Sequence, residues 1–487
     1  MKQFILMICI LAGCVFVLES CSTLDRLVHG KTPLDQFRHR VDSILSDSIF
    51  AATKCGIEIV SLDNGEVLYE RDAKTLLRPA SNMKLLTTAA ALETLGKNYL
   101  FRTALYSDSL TSDSVVHGNI YLKGSGDPDF TSAQLAGLVS ALKGRNVSRI
   151  NGNIVGDATY FDDQRWGAGW MWDDEPEGFA AYNSPLTINR NCVEVRVEPG
   201  RAIGDTLLVS IEPITRYVSL QNNGTTTADT IVSTLVVTRK YKERLNVVTV
   251  AGGFPRRATP EIDHITVWSP EMYFLTLAKE ELARQGIAFE GRLVLDTIPH
   301  RAFLVSEHLQ PIDSVLVFLN KMSDNLSAEN VLRVLGVVRY GQPGSSEHGI
   351  SVVKGFLYSL GIDTTKFSMV DGSGVSYYDL LTPDLLVHLL TGMHARKKSF
   401  DLFYETLPNA GVDGLLVTRM RGTSAQNNLH AKTGTLRGAS TLTGYVRTAD
   451  GELLAFSMMM QNYLGSGEPY RKAQDAIGVL MATLRRK

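Results

Sequence analysis

The chain has 487 residues, 44% hydrophobic and 21% charged, with 49 Lys+Arg against 51 Asp+Glu. This composition can bury a large core in two or three domains and excludes a largely disordered chain. The balanced charge leaves no basic surplus to neutralise phosphates, which argues against nucleic acid as a partner.

The amino terminus carries Lys2, an apolar run from Phe4 to Leu18 and then small and polar residues, the layout of a secretory signal over residues 1–20. That run is short for a membrane span. Cys21, after Leu18-Glu19-Ser20, resembles the lipid-acceptor cysteine of a bacterial lipoprotein and is the favoured anchor. Cys14, after Leu11-Ala12-Gly13, is the alternative, and an ordinary cleaved signal is a third reading. The expectation is an exported bacterial protein, periplasmic and tethered to a membrane by lipid. Beyond Cys21 only Cys55 and Cys192 remain, too few for a disulfide framework or a metal-ligand set; they either pair or stay buried.

From Cys55 to Glu70 two strands are predicted, joined at Asp63-Asn64-Gly65, where Asn-Gly supplies the positive φ of a tight hairpin. The stretch PASNMKLLTTAAALETLG predicts a helix, with Pro79 at its start and Gly96 at its end, so Ser81 falls in the first turn. Residues 124–267 change character: one helix (Ala133 to Lys143), then alternating stretches such as VEVRV, LLVSI and NVVTVAG. This mostly β block is read as an insertion between a first catalytic part (residues 21–123) and a second (268–487). Helical patterns resume at 270–286, 314–322, 326–340, 350–361 and 382–396. Three strand candidates (NNLHAKTGT, STLTGYVRT, LLAFSMMMQ) and a closing helix from about Pro469 to Arg486 follow. Two early and three late strands fit one sheet built from both ends of the chain and packed by helices on both faces.

Three short motifs carry chemistry. In Ser81-Asn82-Met83-Lys84 a hydroxyl and an amine stand three positions apart, hence on one helix face, and the free amides of a helix start favour an oxyanion. Lys84 must be neutral to take a proton from Ser81, a state favoured by burial beside another cation such as Lys432. Ser323-Asp324-Asn325 lies between two helical patterns; alone it reads as a helix cap. Beside the first motif, Ser323 would relay a proton to a departing amine while Asn325 holds Lys84 and a substrate carbonyl. Lys432-Thr433-Gly434-Thr435 sits on a strand, where Gly434 would admit a substrate backbone and the lysine with Thr433 and Thr435 would grip a carboxylate. Asp371-Gly372-Ser373-Gly374 reads as a tight loop without a catalytic part.

The trio matches the signature of penicillin-recognising serine enzymes. With RPASNMKLLTTAAAL, LKGSGDPDF, GDATYFDD, MVDGSGVSYYDLLTP and the long run LPNAGVDGLLVTRMRGTSAQNNLHAKTGTLRGASTLTGYV, the chain resembles the class C low-molecular-weight penicillin-binding proteins, the D-alanyl-D-alanine carboxypeptidase/endopeptidase family. The resemblance implies an α/β (α+β) fold of the serine transpeptidase/β-lactamase-like kind, a central antiparallel sheet flanked by helices. It implies that Ser81 is acylated, Lys84 is the base, Ser323 and Asn325 complete the proton network, and Lys432, Thr433 and Thr435 hold the terminal carboxylate. The amides of Ser81 and Thr435 would form the oxyanion hole. Asp174 matches an acid that in this family meets the amino end of a peptidoglycan stem, and Asp173 could serve equally. Where the family commonly has Asn in the middle of the second motif, this chain has Asp324. Peptidoglycan stem peptides are the implied substrate and β-lactams the implied inhibitors, with no metal or organic cofactor required. The competing readings are a β-lactamase and a non-catalytic wall scaffold.

Overall fold

The computed structural model describes residues 32–109 and 111–486. The leader, Cys14 and Cys21 therefore lie outside the described residues. Helix α1 (Pro33–Leu45) opens the described part of the chain; Thr32 and Asp35 cap it reciprocally and Pro33 takes its first position. The expected hairpin follows as β1 (Lys54–Ser61) and β2 (Val67–Arg71), antiparallel, with Gly65 at φ 76°. Then comes α2 (Met83–Thr94), buried at every position from Met83 to Leu92, its Ala- and Leu-rich body enclosing Lys84, Thr87 and Thr88 as well.

After a long excursion the chain returns with α3 (Ile312–Lys321), α4 (Asn325–Tyr340), α5 (Ser346–Ser359), α6 (Pro383–Ala395) and α7 (Lys397–Thr406). Strands β3 (His430–Leu436), β4 (Ala439–Arg447) and β5 (Leu453–Gln461) and helix α8 (Glu468–Thr483) complete this part. The sheet has the order β3-β4-β5-β1-β2 and is antiparallel throughout, so the two ends of the chain meet at β5 and β1. Every residue of β5 is buried. Leu453, Ala455 and Met459 face a core shared with α2, α4 and α6, whereas Leu454, Phe456 and Met460 face one shared with α1 and α8. Two-sided burial explains why LLAFSMMMQ is a continuous apolar run instead of an alternating one.

The excursion has a core of its own. Its five-stranded sheet has the order 293–295, 154–157, 120–124, 100–107, 303–311, and two three-stranded sheets lie between residues 192 and 266. The expected boundaries at 124 and 267 fall inside this body. Phe303–Pro311 pairs along the length of Leu100–Ser107, and Tyr273, Phe274 and Leu277 of helix Pro270–Arg284 bury in the same core. We accordingly draw the insertion as residues 100–311. A helical period shows that a helix has an apolar face, not which core that face joins. Cys55 and Cys192 are both free and buried, so they do not pair; burial pushes their thiols up to about 11 and about 12.

Candidate active site

Ser81 occupies a 3-10 turn, Ala80–Asn82, that runs straight into α2. Ala80, just before it, holds a left-handed φ of 47°, a costly conformation for a residue with a Cβ. Lys84 lies in the first turn of α2 and is fully buried. Its Nζ lies 2.5 Å from Asn325 Oδ1, 2.7 Å from the Ser373 carbonyl and 3.2 Å from Ser81 Oγ. A neutral amine has two N–H donors and one lone pair. The two shorter contacts use the donors, which leaves the lone pair for the Ser81 hydroxyl proton. Burial pulls Lys84 down to about 8, against the opposing pull of Asp371, Asp324, Glu329 and Asp379. At pH 7 roughly a tenth of the molecules then carry a neutral Lys84.

The second motif stands where the excursion rejoins the catalytic part. Ser323 adopts φ 60° and hydrogen-bonds no other described residue. Asn325, the first residue of α4, accepts from Lys84 and donates its Nδ2 to the Phe179 carbonyl at 2.7 Å. Asp324 caps α4, accepting from Ser327 N at 2.7 Å, and its other oxygen pairs with Arg190 at 2.6 Å. Arg190 also holds Asp129 at 2.8 Å and lies over the Phe318 ring. The unusual acid in the motif thus caps a helix and ties the insertion to the catalytic part.

Strand β3 is the edge of the central sheet and carries the third motif. Lys432 is fully buried, with its Nζ on the Thr433 carbonyl at 3.0 Å; burial, and then Lys84, hold it well below the usual lysine range. Thr433 is half-buried and Thr435 exposed. Gly434 is required for a reason that strand reading alone did not reveal. A Cβ there would overlap Thr441 Oγ1 and stand 2.9 Å from the Pro79 carbonyl and 3.0 Å from the Ser81 amide. The strand therefore runs hard against the turn that bears Ser81. Asn82 fastens the two, donating to the Lys432 carbonyl at 2.9 Å and accepting from Thr441, which also donates to the Pro79 carbonyl at 3.0 Å.

The loop at Asp371-Gly372-Ser373-Gly374, read from sequence as having no catalytic part, borders Lys84. Its Ser373 carbonyl is one of the three groups around Lys84. Asp371 shapes the loop by accepting from Gly374 N at 2.6 Å, Ser376 N at 2.7 Å and Trp170 Nε1 at 2.9 Å. Glu329, buried in α4, accepts from Gly372 N and Ser373 N at 2.8 and 2.9 Å. Gly374 has φ 83° and its Cβ would overlap the Ala80 carbonyl, so this loop also packs on the nucleophile turn. Burial, with Asp371 close by, pushes Asp379 well above the usual carboxylate range. No single-sequence signal pointed to Asn82, Thr441 or Glu329. In the 3-10 turn 172–174, Asp174 is half-buried and pushed up by burial and by Asp173, which is exposed. Among the described residues no group of His, Cys, Asp and Glu could hold a metal ion.

A half-buried hydroxyl, a desolvated amine aimed at it, and a lysine-bearing edge strand beside both define a serine acyl-transfer enzyme of the penicillin-recognising class. The chain belongs to the D-Ala-D-Ala carboxypeptidase 3 (S13) family, whose model matches residues 37–484. It is accordingly a serine-type DD-carboxypeptidase, a penicillin-binding hydrolase that acts on peptidoglycan. It is 34% identical over 464 residues to the D-alanyl-D-alanine carboxypeptidase of Actinomadura sp. (strain R39), covering 92% of this chain and 85% of that one. The D-alanyl-D-alanine carboxypeptidase DacB of Haemophilus influenzae is 27% identical over 427 residues, 86% of this chain and 88% of its own. The crystal structure of penicillin binding protein 4 (dacB) from Haemophilus influenzae superposes with a TM-score of 0.82 at 25% identity, covering 91% of this chain and 99% of that one. The same protein has been solved with a bound β-lactam.

Proposed function

We propose that Ser81 is the acylated nucleophile and Lys84 its general base, acting on a peptidoglycan stem that ends in D-Ala-D-Ala. The observation that carries this is the set of three groups around Lys84 Nζ: Asn325, the Ser373 carbonyl and Ser81 Oγ. Ser81 Oγ attacks the carbonyl of the penultimate D-alanine while Lys84 takes its proton. The amides of Ser81 and Thr435 receive the oxyanion. Lys432, Thr433 and Thr435 hold the terminal carboxylate, whose charge restores a favourable setting for a protonated Lys432. As the C–N bond breaks, the leaving amine takes a proton through Ser323, and D-alanine departs. Water then cleaves the ester and regenerates Ser81. A stem crossing to another peptide gives an endopeptidase product by the same steps. Asp174, or its neighbour Asp173, is offered to the amino end of the stem. The test is D-alanine release from a pentapeptide ending in D-Ala-D-Ala: release by the wild type and none by Ser81→Ala supports the assignment, and equal release by both overturns it.

The compartment proposed is the periplasm, with a lipid on Cys21. The signal-like leader supports it, and among the described residues no helix is long and apolar enough to cross a membrane. Cys21→Ala should abolish incorporation of labelled fatty acid in cells; persistence of label would move the anchor to Cys14.

A further inference from the structure

The chain has four tryptophans, and all of them stand in one place. Trp166, Trp172 and Trp268 line a cleft of about 590 Å³ within the insertion, together with Tyr182 and Tyr241. Trp170 meets Trp166 edge-on at 5.2 Å. Trp166 to Tyr182 and Tyr182 to Trp268 continue the aromatic wall at 5.3 and 5.2 Å, and Trp172 stands 5.9 Å from Tyr241 with the two rings tilted by 30°. Trp172 is 64% exposed, a large apolar surface for a side chain with no structural reason to face solvent.

Polar groups in the cleft await a partner. Glu175 is 8% exposed; one of its oxygens serves Tyr182 and Arg239, while Oε2 is buried and bonds to nothing. Lys242 and Arg244 also line the cleft, and neither pairs with a carboxylate among the described residues; each rests over a ring, Trp172 at 5.1 Å and Trp268 at 4.8 Å. The cleft shares a wall with the active site. The segment that bears Trp172 and Glu175 is pinned at one end by Trp170 Nε1 on Asp371, at 2.9 Å, and at the other by the Phe179 carbonyl on Asn325, at 2.7 Å.

A pyranose ring has apolar C–H faces and a polar rim of hydroxyl and amide groups. Rings spaced around a buried carboxylate and two cations offer a complement to both surfaces, which a wholly apolar ligand would not need. We propose that this cleft is a saccharide subsite that binds an N-acetylated amino sugar of the glycan strand beside the stem being cleaved. The proposal rests on the peptidoglycan reading given above. It makes the enzyme more efficient on stems attached to glycan than on free stems.

The probe is the peptide-free disaccharide N-acetylglucosaminyl-N-acetylmuramic acid, titrated against the full chain while tryptophan emission is followed. A saturable change in emission is expected, weakened roughly tenfold by Tyr241→Ala, in line with the loss of one aromatic platform. Lys242→Ala serves as a second variant should the first fold poorly. The kcat/KM ratio for disaccharide-linked over free pentapeptide should fall in both variants, with benzylpenicillin acylation unchanged. Unaltered emission, or equal kcat/KM for linked and free stems in the wild type, overturns the subsite. Neither result would disturb the peptidase reading, whose failure shows separately as a wild type that penicillin does not acylate.

Discussion

Gly434→Ala tests whether the strand and the nucleophile turn must be in close contact. The new Cβ would overlap Thr441 Oγ1 and stand 2.9 Å from the Pro79 carbonyl and 3.0 Å from the Ser81 amide, where ordinary contact begins at 3.4 Å. Thr441 cannot turn aside without giving up its bonds to Pro79 and Asn82. The other two atoms are backbone, so β3 and the turn must part by roughly half an ångström, an overpacking cost of about 1–3 kcal/mol. The displaced group is an amide proposed to meet the oxyanion, and misplacing such a donor costs about 10²-fold in rate. The assay is the second-order rate of benzylpenicillin acylation, read by intact mass at timed quenches, with thermal melting alongside. The double variant Gly434→Ala/Thr441→Ala removes only the side-chain overlap and should remain slow. An acylation rate within about twofold of wild type, with unchanged melting, would refute the reasoning.

Acylation should depend on a neutral Lys84. Its pKa is pulled down to about 8, so the rate should rise about tenfold per unit below pH 8 and level off above it. Flat kinetics from pH 6 to 9 would remove Lys84 as base. The negative charge of Asp324 holds the Lys84 pKa up, so Asp324→Asn, which still caps α4, should move this limb to lower pH by a fraction of a unit; a move to higher pH would contradict the electrostatics. Arg190→Ala leaves Asp324 and Asp129 without their cation and should cost about 1–3 kcal/mol, seen as a lower melting temperature.

Local chemistry is legible in the sequence, and distant assembly is not. The hairpin at Asn64-Gly65, the three late strands and the helices around the second motif each follow from a period or a turn residue within about twenty positions. Ser81, Lys84, Ser323, Asn325 and Lys432, the residues proposed for acyl transfer, stand out because each sits in a short motif of polar groups. Asn82, Thr441 and the Ser373 carbonyl act across hundreds of residues and Glu329 across 44, and only the folded chain brings them to the site. The same limit hides a pairing across the insertion: residues 100–107 and 303–311 form one antiparallel pair whose partners are remote in sequence. Helix α1 does leave a trace that a reading centred on the motifs passes over: Leu34, Phe37, Val41, Ile44 and Leu45 recur at helical spacing behind Thr32-Pro33, and Phe37, Val41 and Leu45 are the ones buried.

The most direct test of Ser81 as the nucleophile of a penicillin-binding peptidase is the mass of the intact protein after incubation with benzylpenicillin, followed by peptide mapping of any adduct. One persistent penicilloyl group is expected on the wild type, located on Ser81, and none on Ser81→Ala. An adduct on another residue, or penicillin consumed without a lasting adduct as in a β-lactamase, would contradict this assignment.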